Sequence, residues 1–283
     1  MKITLLLTFL AAMVLSKRAK WTSHYLQNAQ EHQAVCSDGS SPIYFISEIS
    51  NSKQWLFYLR GGAGCSNDAM CVDRLTHHPY YTSSKGFTGS FSNSNGIFDR
   101  DCGVNPGLCE ANFVLLPYCS SDWWTGNNTH YIQRTKEVIH FRGLNIVEGV
   151  LNELMRERAL TEATGFVIAG NSAGGIGAMN LADRVDSLLR PKLRNLAKFK
   201  VLVDSSLFLG NPVFKPLPCR DTFYCGVERT FKEGFQIWKS VLNEDCITKL
   251  GEEAWRCNLV DPGIRYVKAS SMIVVNKYDI FQS

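Results

Sequence analysis

Short apolar runs alternate with longer amphipathic stretches along most of this chain. Residues 42–46 and 55–59 are nearly continuous runs of apolar and aromatic residues joined by the polar Ser50-Asn51-Ser52-Lys53, which predicts two strands and an antiparallel hairpin at a sheet edge. Residues 112–116 predict a buried strand that stops at Pro117. Between 135 and 158, apolar residues recur at Ile139, Leu144, Val147, Val150, Leu151 and Leu154, the spacing of a crossover helix. A strand at 166–169 leads into a helix from about 173 to 189, which stops before Pro191. Runs at 199–203 and 271–275 predict two more strands, ending in Asp204-Ser205-Ser206 and Asn276-Lys277-Tyr278-Asp279. This alternation predicts an α/β fold, a mostly parallel sheet with helices on both faces.

Three stretches break the pattern. Residues 21–33 are mixed and predict a helical turn or a loose arm. Residues 66–110, rich in Gly, Ser and Asn, are too long for a simple connection and predict an irregular lid or binding wall, with Tyr80, Tyr81, Phe87, Phe91 and Phe98 as candidates to line a pocket or, for most of them, to pack the loop onto the core. Residues 219–257 predict a cysteine-braced insertion with a helix near 227–241.

Composition places the protein outside the cell. Lys2 precedes an apolar run over 3–15, then Ser16 and the basic Lys17, Arg18 and Lys20. This is the pattern of a secretory signal peptide over 1–19, leaving one domain over 20–283 with no stable membrane insertion after cleavage. Ten cysteines in an exported chain predict disulfides; Cys65 with Cys71 and Cys102 with Cys109 are spaced to pin the long segment locally. Asn127-Asn128-Thr129 is the one glycosylation acceptor, so Asn127 is expected on the surface. A net charge of +4, with Lys192, Arg194, Lys198 and Lys200 reading as a solvated face, does not point to nucleic acid.

The chemistry centres on Gly170-Asn171-Ser172-Ala173-Gly174. A serine hydroxyl is a weak nucleophile, and an enzyme that uses one holds it on a tight strand-to-helix turn whose small neighbours admit substrate and base. The N–H of Ala173 falls where a helix N-terminus leaves donors unpaired. Arg60-Gly61-Gly62-Ala63-Gly64-Cys65, just past a strand end, is either a plain tight turn or a loop that exposes backbone N–H groups to an anion or a developing oxyanion.

Three blocks together resemble the pectin acetylesterase/Notum family of secreted serine esterases. They are Gly61-Gly62 with Cys65; Pro117-Tyr118-Cys119-Ser120-Ser121-Asp122 with Trp124 and Gly126; and residues 170–175 followed by Asp183-Arg184-Val185. Val203-Asp204-Ser205 and Tyr278-Asp279 with Gln282 extend the match. The resemblance implies an α/β-hydrolase-like fold and ester hydrolysis on an O-acylated polysaccharide or an acylated protein. It makes Ser172 the nucleophile and Asp279 the triad acid, and it builds the oxyanion hole from the N–H groups of Gly62, Ala63 and Ala173. It also suggests disulfides Cys36–Cys119 and Cys65–Cys71. Asp204 is the other candidate acid, able instead to cap a turn or hold the Ser172 loop. No metal or organic cofactor is implied, and a monomer is expected.

The chain departs from the family at Arg60, Ala63 and Gly64, where family members carry an acid before the glycines and aromatics after them. Histidines occur only at 24, 32, 77, 78, 130 and 140, so none follows Ser172, whereas the family's catalytic histidine follows its aspartate. The sequence stops at Ser283, and a chain cut short before its base is the expectation; the missing segment would also supply a helix for the sheet. The primary expectation is a secreted carboxylic-ester hydrolase working through an acyl-enzyme. The alternative is a catalytically inactive secreted binding protein that keeps the cleft.

Overall fold

A computed structural model describes residues 19–87, 91–92, 94–210, 219, 223 and 225–276. Its seven-stranded sheet is built from β1 (Thr22–Tyr25), β2 (Ile43–Ser47), β3 (Gln54–Leu59), β4 (Asn112–Leu116), a strand at Gly165–Asn171, another at Lys198–Asp204 and a last one at Ser270–Val274. A separate hairpin pairs β5 (Asn128–Ile132) with β6 (Glu137–Phe141), so the last three sheet strands are β7, β8 and β9 in chain order. The sheet order is β1-β2-β4-β3-β7-β8-β9. From β4 to β9 every pairing is parallel, and β1 and β2 form an antiparallel flank. This is the α/β-hydrolase-like arrangement expected from the sequence.

The apolar run of β3 explains its central place. Trp55, Phe57 and Leu59 point into one cluster of buried residues while Leu56 and Tyr58 point into the other. A strand buried on both faces needs a neighbour on each side, and β3 has β4 and β7. The hairpin expected between residues 42–46 and 55–59 is therefore not formed. β4 lies between them, pairing Phe45 with Leu115 on one side and Phe57 with Val114 on the other. The polar linker marked a reversal of the chain but not the distance it travels.

Other boundaries shift for similar reasons. Residues 22–25 of the expected loose arm form the edge strand β1. The crossover helix α2 spans Gly143–Glu157, starting eight residues after 135 because the preceding residues form the β5–β6 hairpin, turned at Lys136 with φ 60°. The long segment 66–110 is not wholly irregular: α1 (Asp68–His77) opens it, with the Asn67 side chain accepting from the Met70 N–H at 3.0 Å. The helix after the serine, α3, spans Ala173–Leu189, and α4 spans Val227–Trp238.

The two faces of the sheet are covered differently. α2 and α3 pack into the larger cluster through residues such as Leu144, Val147, Leu151, Ile176, Leu181 and Val185. Helices were expected on both faces, but over β2, β4 and β3 the opposite face is covered, among the described residues, by Trp21, Phe87, Phe91 and Phe98. Phe91 stands 5.3 Å from Phe45 and Phe98 stands 5.1 Å from Tyr58, ring centre to ring centre. Arg100 fastens this segment: it donates to the carbonyls of Ser47 at 2.9 Å and Cys109 at 3.0 Å, and lies 3.8 Å over the Phe113 ring. At the far edge β9 is exposed along its whole length. Among the described residues no helix is long and apolar enough to cross a membrane.

All ten cysteines are paired, as Cys36–Cys119, Cys65–Cys71, Cys102–Cys109, Cys219–Cys225 and Cys246–Cys257. Asn127 is exposed, with its side-chain oxygen accepting from Arg142 at 2.8 Å.

Candidate functional site

The parallel pairing of β3 with β7 places Leu59 beside Gly170, so the loops that follow the two strands emerge together. At the end of β7 the chain turns sharply at Ser172, with φ 52° and ψ −122°, and enters α3 at once. A non-glycine residue in this region costs about 1–3 kcal/mol and persists only where its surroundings hold it. Here the Ser172 N–H donates to the Asp204 carbonyl at 3.0 Å, and the Ser172 carbonyl accepts from the Gly175 N–H at 3.0 Å. The Ser206 hydroxyl lies 2.8 Å from the Ser172 carbonyl and 2.6 Å from that of Asp204, sharing its one proton between them.

Missing side chains make the crossing possible. A Cβ on Gly170 or Gly174 would run into the Leu59 carbonyl, and one on Gly175 into the Ser206 hydroxyl. Gly61 comes closest to the serine, since a Cβ there would lie 2.7 Å from Ser172 Cβ and 2.5 Å from the Asn171 carbonyl oxygen. The Gly61 N–H donates to Asn171 Oδ1 at 3.1 Å, tying the two loops together. Gly62 lies under the rings of Tyr81 and Tyr118, 2.5 and 2.8 Å from where its Cβ would be. Ala63 follows with φ 54°.

Among the described residues the N–H groups of Gly62, Ala63 and Ala173 donate to nothing. Two lie on the loop that begins at Gly61, and the third is the first residue of α3, where the helix dipole adds a partial positive charge. Unpaired backbone donors on two loops that emerge side by side, one of them carrying a serine at a sharp turn, are suited to an anion or an anionic intermediate.

The candidate acids are placed unequally. Asp204 ends β8 beside Asn171, and its carboxylate accepts from the Ser205 hydroxyl at 2.9 Å while its carbonyl holds the Ser172 turn. Asp279 and Gln282 lie outside the described residues. The histidines make their contacts elsewhere: His77 with Asp73 at 2.9 Å, His130 with Asp68 at 2.7 Å, His140 with Thr129 at 3.2 Å, and His24 stacked on Tyr44 at 5.5 Å.

The block from Pro117 to Asp122 forms the floor beneath the glycine loop. Cys119 is tied to Cys36, and the Tyr118 hydroxyl accepts from the Trp123 N–H at 2.6 Å. Asp122 is fully buried and caps α2, accepting from the Gly143 N–H at 2.7 Å, the Trp124 N–H at 3.0 Å and the Ser120 hydroxyl at 2.6 Å. Burial pushes its carboxyl up to about 6 against the pull of those bonds. Ser121, Trp123 and Trp124 all have positive φ, between 55° and 66°. The polar side chains of the block thus serve architecture, holding a strained knot against which the glycine loop rests.

Sequence reasoning missed Arg74. It sits on the buried face of α1 with Met70 and Cys71, without solvent exposure, and donates through Nη2 to the Gly62 carbonyl at 2.5 Å and through Nε to Ser121 Oγ at 2.9 Å. The available signal was an arginine at a helical spacing reserved for core residues. A cavity lined by Asn180, Asp183, Arg184, Asn243 and Lys268 runs along the later turns of α3, and none of its lining comes from the Ser172 turn.

Comparison with known proteins agrees with this architecture. The family model described as Pectinacetylesterase matches residues 14–283. The palmitoleoyl-protein carboxylesterase notum2 of Xenopus laevis is 31% identical over 245 residues, covering 83% of this chain and 49% of that protein. The palmitoleoyl-protein carboxylesterase NOTUM of Homo sapiens is 32% identical over 235 residues, covering 83% of this chain and 46% of its own length. The Drosophila melanogaster NOTUM carboxylesterase is 28% identical over 233 residues, with 81% and 34% covered. The chain spans about half the length of the first two of these relatives. With a family model matched from residue 14 to residue 283, the chain belongs to the pectinacetylesterase family.

Proposed function

We propose that this chain carries the acyl-transfer site of a secreted carboxylic-ester hydrolase, with Ser172 as the nucleophile. The observation that carries the reading is the strained Ser172 turn, pressed against Gly61, with unpaired N–H groups at Ala173 and, next along the glycine loop, at Gly62 and Ala63. Ser172 Oγ attacks the ester carbonyl as a base takes its proton, the three N–H groups hold the oxyanion, the protonated base gives the proton to the departing alcohol, and the same base then deprotonates the water that releases the acid from the acyl-enzyme. Asp279 serves as the triad acid, with Asp204 as the second candidate. The family name and the relatives' names support two ester classes, acetylated polysaccharide and a lipid-acylated protein. Export follows from the signal-like residues 1–19 and the five disulfides.

Proton transfer distinguishes this enzyme from an inactive binder that keeps the cleft, the second reading of the same turn. Losing the base of a related triad costs on the order of a millionfold in kcat. The test is p-nitrophenyl acetate hydrolysis by the 283-residue chain with imidazole added as an external base, with Ser172→Ala measured in parallel. The enzyme reading expects a rate that rises with imidazole beyond that of Ser172→Ala, and a fluorophosphonate adduct at Ser172. Identical rates for the two proteins, with no adduct, favour the binder.

A further inference from the structure

We infer that Arg74 is a positioning residue for the oxyanion site, aiming and polarising the Ala63 N–H through the Gly62 carbonyl. The inference rests on the esterase reading of Ser172 and deepens it. The Gly62–Ala63 peptide is trans, so its C=O and N–H point in opposite directions. Arg74 Nη2 holds the carbonyl oxygen from the α1 side at 2.5 Å. The N–H of Ala63 therefore faces away from Arg74, and it is unpaired, two residues along from the Gly61 that packs against Ser172.

Four features argue for a role beyond packing. An arginine buried without solvent exposure is costly, since moving the charge out of water takes several kcal/mol before any compensation. Burial lowers its pKa only to about 10, so the charge persists at neutral pH. The guanidinium is locked in place: its Nε donates to Ser121 Oγ, and its plane lies 4.9 Å from the Tyr81 ring and 5.7 Å from that of Tyr118. Ser121 in turn receives the Ser37 hydroxyl at 3.1 Å, beside the Cys36–Cys119 bridge. Finally, the peptide it grips is one the backbone would not hold unaided, because Ala63 sits at φ 54°.

A cation on a carbonyl oxygen strengthens the donor at the other end of the same peptide, because hydrogen bonds in series polarise one another, most strongly where water is excluded. Arg74 thus adds positive potential to an oxyanion it does not touch. Lysine offers the charge without the fork and cannot hold Gly62 and Ser121 together.

The test compares Arg74→Met and Arg74→Lys with the wild-type chain in the imidazole-supplemented p-nitrophenyl acetate assay, below the melting temperature of each. The inference expects kcat of Arg74→Met to fall about 100-fold, the scale of losing one oxyanion donor, with KM within about twofold. Arg74→Lys should recover to within about tenfold of wild type. In 15N-labelled protein the Ala63 amide nitrogen should move upfield in Arg74→Met, which general loosening of the fold would not do selectively. If the methionine variant does not fold, a kcat lowered by up to about tenfold at unchanged KM in Arg74→Lys, with a smaller upfield shift at Ala63, carries the test. Wild-type kcat in the folded variants, or a change in KM alone, overturns the inference and leaves the esterase reading standing. Absence of Ser172-dependent turnover in the wild type overturns that reading and this inference with it, whatever the Ala63 resonance does.

Discussion

At the scale of single residues, the site depends on atoms that are missing as much as on those present. Ser172 can adopt φ 52° because Gly61, Gly170, Gly174 and Gly175 leave room for backbones to cross within van der Waals reach. Gly61 is the most exacting, with neighbours that are backbone and the Cβ of the serine itself, neither able to swing aside. Gly61→Ala should therefore displace the serine turn and lower fluorophosphonate labelling of Ser172 by at least tenfold, as a roughly 1 Å misplacement is enough to do. Mass spectrometry of the labelled peptide measures it, and wild-type labelling would show that the two loops are not as tightly apposed as described. The glycine cluster and the G-x-S-x-G turn were legible in the sequence because such residues mark sharp turns. Arg74 was not, because its function depends on where α1 sits against the glycine loop.

At the scale of elements, the chain after β4 changes direction through buried polar contacts. Asp122 caps α2 and ties together Ser120, Trp124 and Gly143, yet burial raises its carboxyl to about 6 from an ordinary value near 3.8. The folded protein therefore binds the proton more tightly than the unfolded chain does. Between these values stability must fall as pH rises, by about 3 kcal/mol over the two-unit window, and level off above it. Urea unfolding from pH 4 to 7 should show this slope in the wild type and a flatter one in Asp122→Asn. Equal slopes would assign the pH dependence to other groups. The elements most faithfully forecast were β4 and α3, the first an apolar run closed by Pro117 and the second a long stretch closed before Pro191. Strand β6 was absorbed into the expected helix because Ile139, eleven residues before Val150, falls on the same helical face as well as it fits the inward face of a strand.

At the scale of the whole molecule, the bridge between Cys36 and Cys119 spans 83 positions and joins the segment before β2 to the floor of the glycine loop, whereas Cys102–Cys109 spans only 7. In the chain-entropy account the longer loop contributes about 4.5 kcal/mol and the shorter about 2.3. A Cys36→Ala/Cys119→Ala variant should accordingly lose about twice the stability lost by Cys102→Ala/Cys109→Ala in denaturant titrations, and comparable losses would point to native-state strain instead. The sequence alone was enough for the α/β class, the export-compatible cysteine content, the serine turn and the family, because periodicity, composition and motif are local properties of a chain. Only the tertiary structure decided that β4 separates β2 from β3, that aromatic side chains of the long segment help cover one face of β2, β4 and β3, and that a buried arginine grips the glycine loop. Each of these depends on which distant surfaces bury one another, and that choice is made by the free energy of the whole fold and not by any one stretch of it.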